Sequence, residues 1–156
     1  MLNFAKLCAV ASMLGLAAMG SGCRSTRPPL FTASGPEWRV QEGQALWQPR
    51  KDMPQIAGEL LLASHPDGRW TLQFTKTPMP MAVAQRSGER WLIEFPAAKM
   101  SFAGKGNPPG RFAWLYLKPA LDGATLPKGF EFAQTNAQWS LQNTRTGERL
   151  EGFVSP

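Results

Sequence analysis

The stretch that decides the fold covers residues 56–95 and reads IAGELLLASHPDGRWTLQFTKTPMPMAVAQRSGERWLIEF. Apolar and polar residues alternate along much of it, and turn sequences such as HPDG at 65–68 and SGE at 87–89 divide it into short runs. Successive side chains of a strand point to opposite faces, and strands joined by short turns pair antiparallel. The stretch therefore predicts four consecutive antiparallel strands, a meander with one apolar face.

Large apolar side chains share that face on two of the predicted strands: Trp70, Leu72 and Phe74 on one, and Trp91, Ile93 and Phe95 on the other. A period of two is typical of a strand that is buried on one side. The face covers either the protein's own core or a hollow that holds an apolar ligand, and the residues alone leave both interpretations open.

The rest of the chain predicts further strands and one helix. Residues 36–49 are expected to form two short strands around a turn at Gly43, and residues 99–103 a fifth strand of the meander. Residues 130–132 alternate, and residues 139–154 are typical of a closing hairpin. Asn107 and Pro108 are typical of a helix start, so we expect a short helix over 108–118 that lies across the sheet. The expected fold class is mainly β.

The N-terminus is typical of an export signal. Lys6 is followed by an apolar run over 7–19, which is too short for a comfortable membrane span, and then by Gly20-Ser-Gly22 and Cys23. We interpret residues 1–22 as a lipoprotein signal peptide, Cys23 as the lipidated residue, residues 23–36 as a flexible tether and residues 37–156 as one β domain. The alternative is an ordinary secretory signal with Cys23 as an idle thiol. Lipidation is favoured because Cys8 leaves with the signal, so that Cys23 has no disulfide partner.

Charge and composition bear on the function class. The chain has 17 basic and 11 acidic residues, a net charge of +6. This balance suits an anionic membrane or a polyanion, but the basic residues are dispersed and an evenly charged surface is the favoured interpretation. The single histidine, His65, lies in a turn, and no group of residues has the spacing of a metal site or a catalytic triad. We therefore expect neither an enzyme nor a cofactor, and no nucleic-acid partner.

The sequence PMPM at 78–81 lies between two predicted strands. Met79 and Met81 carry flexible apolar side chains in a link stiffened by prolines. They either close the end of the core or form an apolar loop that contacts lipid.

The features that carry a family resemblance are an expected lipidated cysteine with its tether, a run of antiparallel strands, the Trp114-Leu115 segment, LPKG at 126–129 and the closing hairpin that contains Trp139. In these features the chain resembles the bacterial lipoprotein-sorting proteins of the LolA/LolB superfamily. The resemblance implies a curved, incomplete β-barrel with a short helical lid. It also implies that the six residues of the apolar face line a hollow for acyl chains, with Met79 and Met81 as the apolar loop. Arg24 after the cysteine would permit sorting to the outer membrane.

The expected function is that of a lipid-anchored, non-catalytic envelope lipoprotein, held at the periplasmic face of the outer membrane, which accepts a lipidated or other apolar ligand, with a periplasmic carrier protein as a possible partner. The alternative is a structural or assembly lipoprotein that binds a protein through its sheet edges. Hydrolysis of an envelope polymer is the least favoured hypothesis.

Overall fold

The computed structural model describes residues 27–155, so the expectations for the signal peptide and for Cys23 lie outside the described residues. The described chain is mainly β, with a single sheet, one α-helix and one short 3₁₀ helix at Pro96–Ala98. The strands are β1 Arg39–Gln48, β2 Ile56–Ser64, β3 Trp70–Lys76, β4 Met79–Ser87, β5 Arg90–Phe95, β6 Met100–Lys105, β7 Phe130–Thr135, β8 Gln138–Asn143 and β9 Arg149–Val154, and the helix is α1 Trp114–Leu121.

The sheet has nine antiparallel strands in the order β6-β5-β4-β3-β2-β1-β9-β8-β7. The meander over 56–95 is confirmed, as are the strand after it and the closing hairpin of β8 and β9. Strand β1 joins the meander of β2–β6 to the C-terminal strands β7–β9, because Trp47 pairs with Ile56 of β2 on one side and with Leu150 of β9 on the other.

The sheet curls without closing, as expected of an incomplete barrel. Trp47 of β1 and Phe95 of β5 are separated by three strands, which in a flat sheet would place their backbones about 19 Å apart. Their rings nevertheless stack with centroids 5.9 Å apart. Both side chains therefore point to the concave side of a curved sheet. Strands β6 and β7 form its two edges, and α1 lies over the concave face.

Glycines on the concave face make room for aromatic rings. A Cβ atom on Gly104 would lie 2.5 Å from the Trp91 ring, and a Cβ atom on Gly152 would lie 2.9 Å from the Trp139 ring. Gly58 stands in the same relation to Phe74, at 2.7 Å. Glycine inside a strand is typical of such close approaches, and here it allows the rings to lie flat on the curved sheet.

The expectation of two short strands around Gly43 was wrong. Residues Arg39–Gln48 form one continuous strand, and Gly43 lies inside it. A Cβ atom there would collide with the carbonyl oxygen of Phe153 on the neighbouring strand. Glycine is present because another backbone passes close by, not because the chain turns.

The helix was predicted, but not its bounds. It begins at Trp114 rather than at residue 108, and it continues through Pro119 to Leu121. Its N-cap residue, Ala113, makes no side-chain capping bond. Instead the backbone N–H of Ala113 donates to Oε2 of Glu148, 3.1 Å away. A carboxylate 35 residues distant thus replaces the local cap that Asn107 was expected to supply.

The interruption expected at residues 78–80 is shorter in the structure, whereas the extended run expected from Met81 is confirmed. The turn is confined to Thr77 and Pro78, and both Met79 and Met81 lie on β4. Pairing of β4 with β5 begins only at Val83, so Pro80 has no partner on that side that would need an N–H donor. A register shift opposite Thr75 accommodates the start of the strand.

Candidate functional site

The structure brings all six residues of the predicted apolar face to the concave side of the sheet. Leu72, Phe74 and Ile93 are fully buried, and Trp70 and Trp91 are almost so. Phe95 is half-buried and packs against this cluster. The strand register places them together: Leu72 and Ile93 both pair with Ala84 of β4.

Helix α1 fills the space enclosed by this face. Trp114 is 0 % exposed and stacks on Phe74 with centroids 5.0 Å apart. Its ring also meets Trp47 edge-on, at 5.8 Å. Leu115 and Leu117 are fully buried beside it. In this conformation the concave face is therefore covered by the protein's own helix.

One carboxylate holds the start of the helix to the sheet. Glu148 is 5 % exposed. Its Oε1 accepts a hydrogen bond from Nε1 of Trp47 at 2.9 Å, and its Oε2 accepts the Ala113 bond described above. Burial raises the pKa of Glu148 to about 7, although these two hydrogen bonds act in the opposite direction. No local sequence pattern predicts this contact, because a glutamate after the TRTG turn at 144–147 is usually solvated.

Buried indole groups around the helix lack acceptors. Among residues 27–155, Nε1 of Trp91, Trp114 and Trp139 has no hydrogen-bond partner. A buried donor without a partner costs about 1–3 kcal/mol. A buried water or the carbonyl oxygen of a ligand would remove that cost. The concave face thus offers hydrogen-bond donors as well as apolar surface.

The two methionines differ in exposure. Met79 is 53 % exposed at the start of β4, whereas Met81 is partly buried and packs against the core. The 3₁₀ helix Pro96–Ala98 contacts β4 at this end of the sheet, and the neighbouring Met100 is 48 % exposed. An apolar rim formed by Met79, Pro96, Ala97, Ala98 and Met100 therefore ends the sheet here.

His65 is less accessible than a turn residue was expected to be, since its side chain is 13 % exposed. Its Nε2 lies 2.9 Å from Oε2 of Glu37 and its Nδ1 lies 2.9 Å from Oδ1 of Asp67. Its ring also packs on Trp38, at 5.2 Å. The backbone N–H of Arg69 is the main cause of a lowered pKa for Asp67. These contacts fix the turn between β2 and β3 and the start of β1.

Sequence reasoning missed a groove of about 920 Å³ that is lined in part by outward-facing side chains of the sheet. It crosses β8, β9, β1 and β2, and its lining includes Leu46, Glu59, Arg149, Glu151 and Phe153. These side chains alternate with the buried ones of the same strands, so they point away from the core. Arg149 and Glu151 form an ion pair within it. The groove depends on sheet curvature, which no local pattern reveals.

Part of the expected tether is packed. Residues 27–38, which we call the strap, cross the outer face of the sheet. The N–H of Leu30 donates to Oε1 of Gln85 at 2.8 Å, and Nε2 of Gln85 donates to the carbonyl of Phe31 at 3.2 Å. Phe31 stacks on Trp38 at 5.4 Å. The expectation that this whole segment makes no packed contacts was wrong, because Gln85 supplies both a donor and an acceptor to its backbone.

Within residues 27–155 no helix has the length and apolar character to cross a bilayer, and no cluster of His, Cys, Asp and Glu has the arrangement of a metal site. Comparison of the sequence with protein-family models and with curated proteins gave no match.

Proposed function

We propose that this chain is a lipid-anchored, non-catalytic lipoprotein of the bacterial envelope that accepts an acylated or other apolar ligand between its concave sheet and α1, as the LolA/LolB-like resemblance implies. One observation carries the proposal. Within residues 27–155 one short helix covers the concave face of the open sheet, and the proposal places the acyl chain where the apolar side chains of that helix lie.

The helix has features that favour its displacement. It has eight residues, fewer than an isolated helix needs to be stable in water. Pro119 cannot donate to the Leu115 carbonyl, which removes one helical hydrogen bond. Its stability therefore comes from packing against the sheet, and an apolar ligand can replace that packing.

The cost of exposing the apolar side chains of α1, set against the free energy gained by burying methylenes of a ligand, favours long acyl chains. Exposing Trp114, Leu115 and Leu117 costs about 5–9 kcal/mol, at about 1.5–3 kcal/mol for each side chain. Each buried methylene returns about 0.8 kcal/mol, so about 6–11 methylenes balance that cost. Carbonyl oxygens of an acyl ester or amide would also supply acceptors to the buried indole groups.

Lipidation of Cys23 and sorting to the periplasmic face of the outer membrane, with Arg24 as the following residue, belong to the same proposal. An apolar rim with Met79 exposed suits an entrance for the ligand or a contact with a periplasmic carrier protein.

The test is binding of fluorescent fatty acids of graded length to residues 24–156, a chain that keeps every residue of the described sheet, helix and strap. We expect saturable binding of a chain of about sixteen carbons and little binding of one with eight, as the balance of energies requires. Met79→Glu, at the more exposed of the two methionines, should reduce transfer from a donor while the fold persists. A titration that shows no binding at any length would overturn the proposal.

The alternative, a structural or assembly lipoprotein that binds a protein partner, is favoured by a different observation. Among the strands of residues 27–155, β6 and β7 each have a neighbour on one side only, so both present free backbone groups. A partner strand could add to either edge. Single prolines placed in turn along β6 should abolish such binding at the positions whose N–H points away from β5, and should leave fatty-acid binding unchanged.

A further inference from the structure

The strap determines where the body of the protein sits relative to its N-terminus. Gln85 is 6 % exposed although it lies on the outer face of β4. Its neighbours in the same outer row, Thr71 on β3 and Leu92 on β5, are identified by the strand register. Leu92 is 1 % exposed, and the strap is the segment that crosses this row. Residues 30–38 are thus a fixed part of the domain.

A fixed strap leaves a short connection. If Cys23 carries lipid, only residues 23–29 separate the bilayer from Leu30. Seven residues span at most about 25 Å when fully extended. The surface beside Leu30, on the outer side of β4–β6, is therefore the part of the protein nearest the membrane.

Two basic side chains lie opposite one another on that surface, and their repulsion is unfavourable. Arg90 of β5 pairs directly with Lys105 of β6, and both side chains are exposed. Like charges directly opposite one another in a sheet are destabilising. Within residues 27–155 neither side chain forms an ion pair, and Arg27 at the start of the strap forms none either. Glu89, in the turn before Arg90, is the nearest acidic residue along the chain.

We infer that Arg27, Arg90 and Lys105 form a docking surface for an anionic lipid leaflet, which orients the anchored domain with the outer face of β4–β6 toward the bilayer. The inference rests on the membrane anchor of the proposed function. Lipid phosphates would offset the repulsion between Arg90 and Lys105. Each basic residue close to an anionic membrane strengthens binding by about a factor of five.

A rival surface lies at the other end of the same strands. Lys76 and Lys99 flank the apolar rim that includes Met79 and Met100, and both lysines are exposed. They provide a matched control, because reversing two charges there changes the net charge by the same amount.

The experiment measures cosedimentation of residues 24–156 with vesicles of phosphatidylcholine that contain about one-third phosphatidylglycerol, at low salt. We expect binding that pure phosphatidylcholine does not support, and that Arg90→Glu with Lys105→Glu weakens by at least about thirtyfold. Lys76→Glu with Lys99→Glu should weaken it far less. Equal losses in the two variants, or a greater loss in the control, would overturn the inference.

Fatty-acid binding measured on the same variants separates this inference from the proposed function. If the docking surface is wrong but the ligand site is right, the probe binds with unchanged affinity while vesicle binding does not depend on Arg90 and Lys105. If the ligand site is wrong, the probe fails to bind in every variant, whatever the vesicles show.

Discussion

Oε1 of Glu148 accepts a hydrogen bond from Nε1 of Trp47 at 2.9 Å, and both side chains are buried. With the bond from Ala113 to Oε2, this carboxylate ties β1 to the start of α1. Removing a single side chain should therefore change how firmly the helix is held.

The stability of the protein should depend on the charge of Glu148. Its pKa is about 7 in the folded state and 4.5 as a reference for the unfolded state, so between these values the folded state binds more protons. Stability from this group is fully present below pH 4.5 and falls as pH rises through 7, by on the order of 3 kcal/mol. Denaturant unfolding from pH 4 to 8 should show the fall. Glu148→Gln should remove that slope, whereas exposed Glu89→Gln should retain it; an unchanged slope in Glu148→Gln would assign it to another group.

Trp114→Ala distinguishes a ligand-binding interior from a simple core. A buried tryptophan replaced by alanine costs about 3–5 kcal/mol through lost burial and the cavity left behind. If the protein is a carrier, a long-chain fatty acid should fill that cavity and bind to Trp114→Ala more tightly than to the wild type. Its binding should also reverse much of the decrease in melting temperature that the substitution causes. Half-buried Trp38 on the strap is the matched control, and Trp38→Ala should not gain affinity. A destabilised Trp114→Ala that the fatty acid does not rescue would contradict the carrier model.

Gly104→Ala tests the contact between glycine and indole on the concave face. A Cβ atom there would lie 2.5 Å from the Trp91 ring, so the ring must move, and we expect a loss of about 1–3 kcal/mol. Gly110→Ala is the control, because its Cβ would meet the nearest atom, in the Phe130 ring, at 3.8 Å. Urea unfolding of both variants measures the difference. Equal midpoints would mean that the Trp91 ring has room to adjust.

Gln85→Ala should release the strap. It removes both hydrogen bonds to the backbone at Leu30 and Phe31 and leaves the Leu30 N–H without its acceptor. Hydrogen exchange at the Leu30 amide should accelerate at least tenfold, while exchange in α1 stays as in the wild type. Gln73→Ala, on the same face of the neighbouring strand β3, is the control. Unchanged exchange in the strap would show that the rings of Phe31 and Trp38 hold it without Gln85.

The alternation of apolar and polar residues along the sequence was enough to predict most of the strands. The alternation of Trp70, Leu72 and Phe74, bounded by a turn that contains Gly68, specifies β3 and its apolar face, because burial on one side requires a period of two. The same logic failed at Gly43, where the reason for glycine is a strand more than 100 residues away in sequence. The prediction of the helix start was wrong for a similar reason. The group that accepts the hydrogen bond from the Ala113 N–H is the Glu148 carboxylate, which lies 35 residues further along the chain.

Features that depend on curvature lay beyond sequence reasoning. The six predicted face residues do meet on the concave side, but their alternation does not show that Trp114 covers Phe74. Nor does it show that Gln85, which alternates as a solvated residue, is buried beneath the strap. Such contacts are decided by how far the sheet bends and by where non-adjacent segments cross it.

Strand β1 lies in the interior of the sheet but is the first strand of residues 27–155, and its second neighbour, β9, is the last. During synthesis or export the meander of β1–β6 can form early, whereas β1 keeps an unpaired side until residue 149 arrives. Until then Trp47 lacks both Leu150 and Glu148. A chain synthesised only as far as β8 should therefore present an unpaired strand edge and an incomplete aromatic core, and chaperones that shield such surfaces should matter most just before β9 appears.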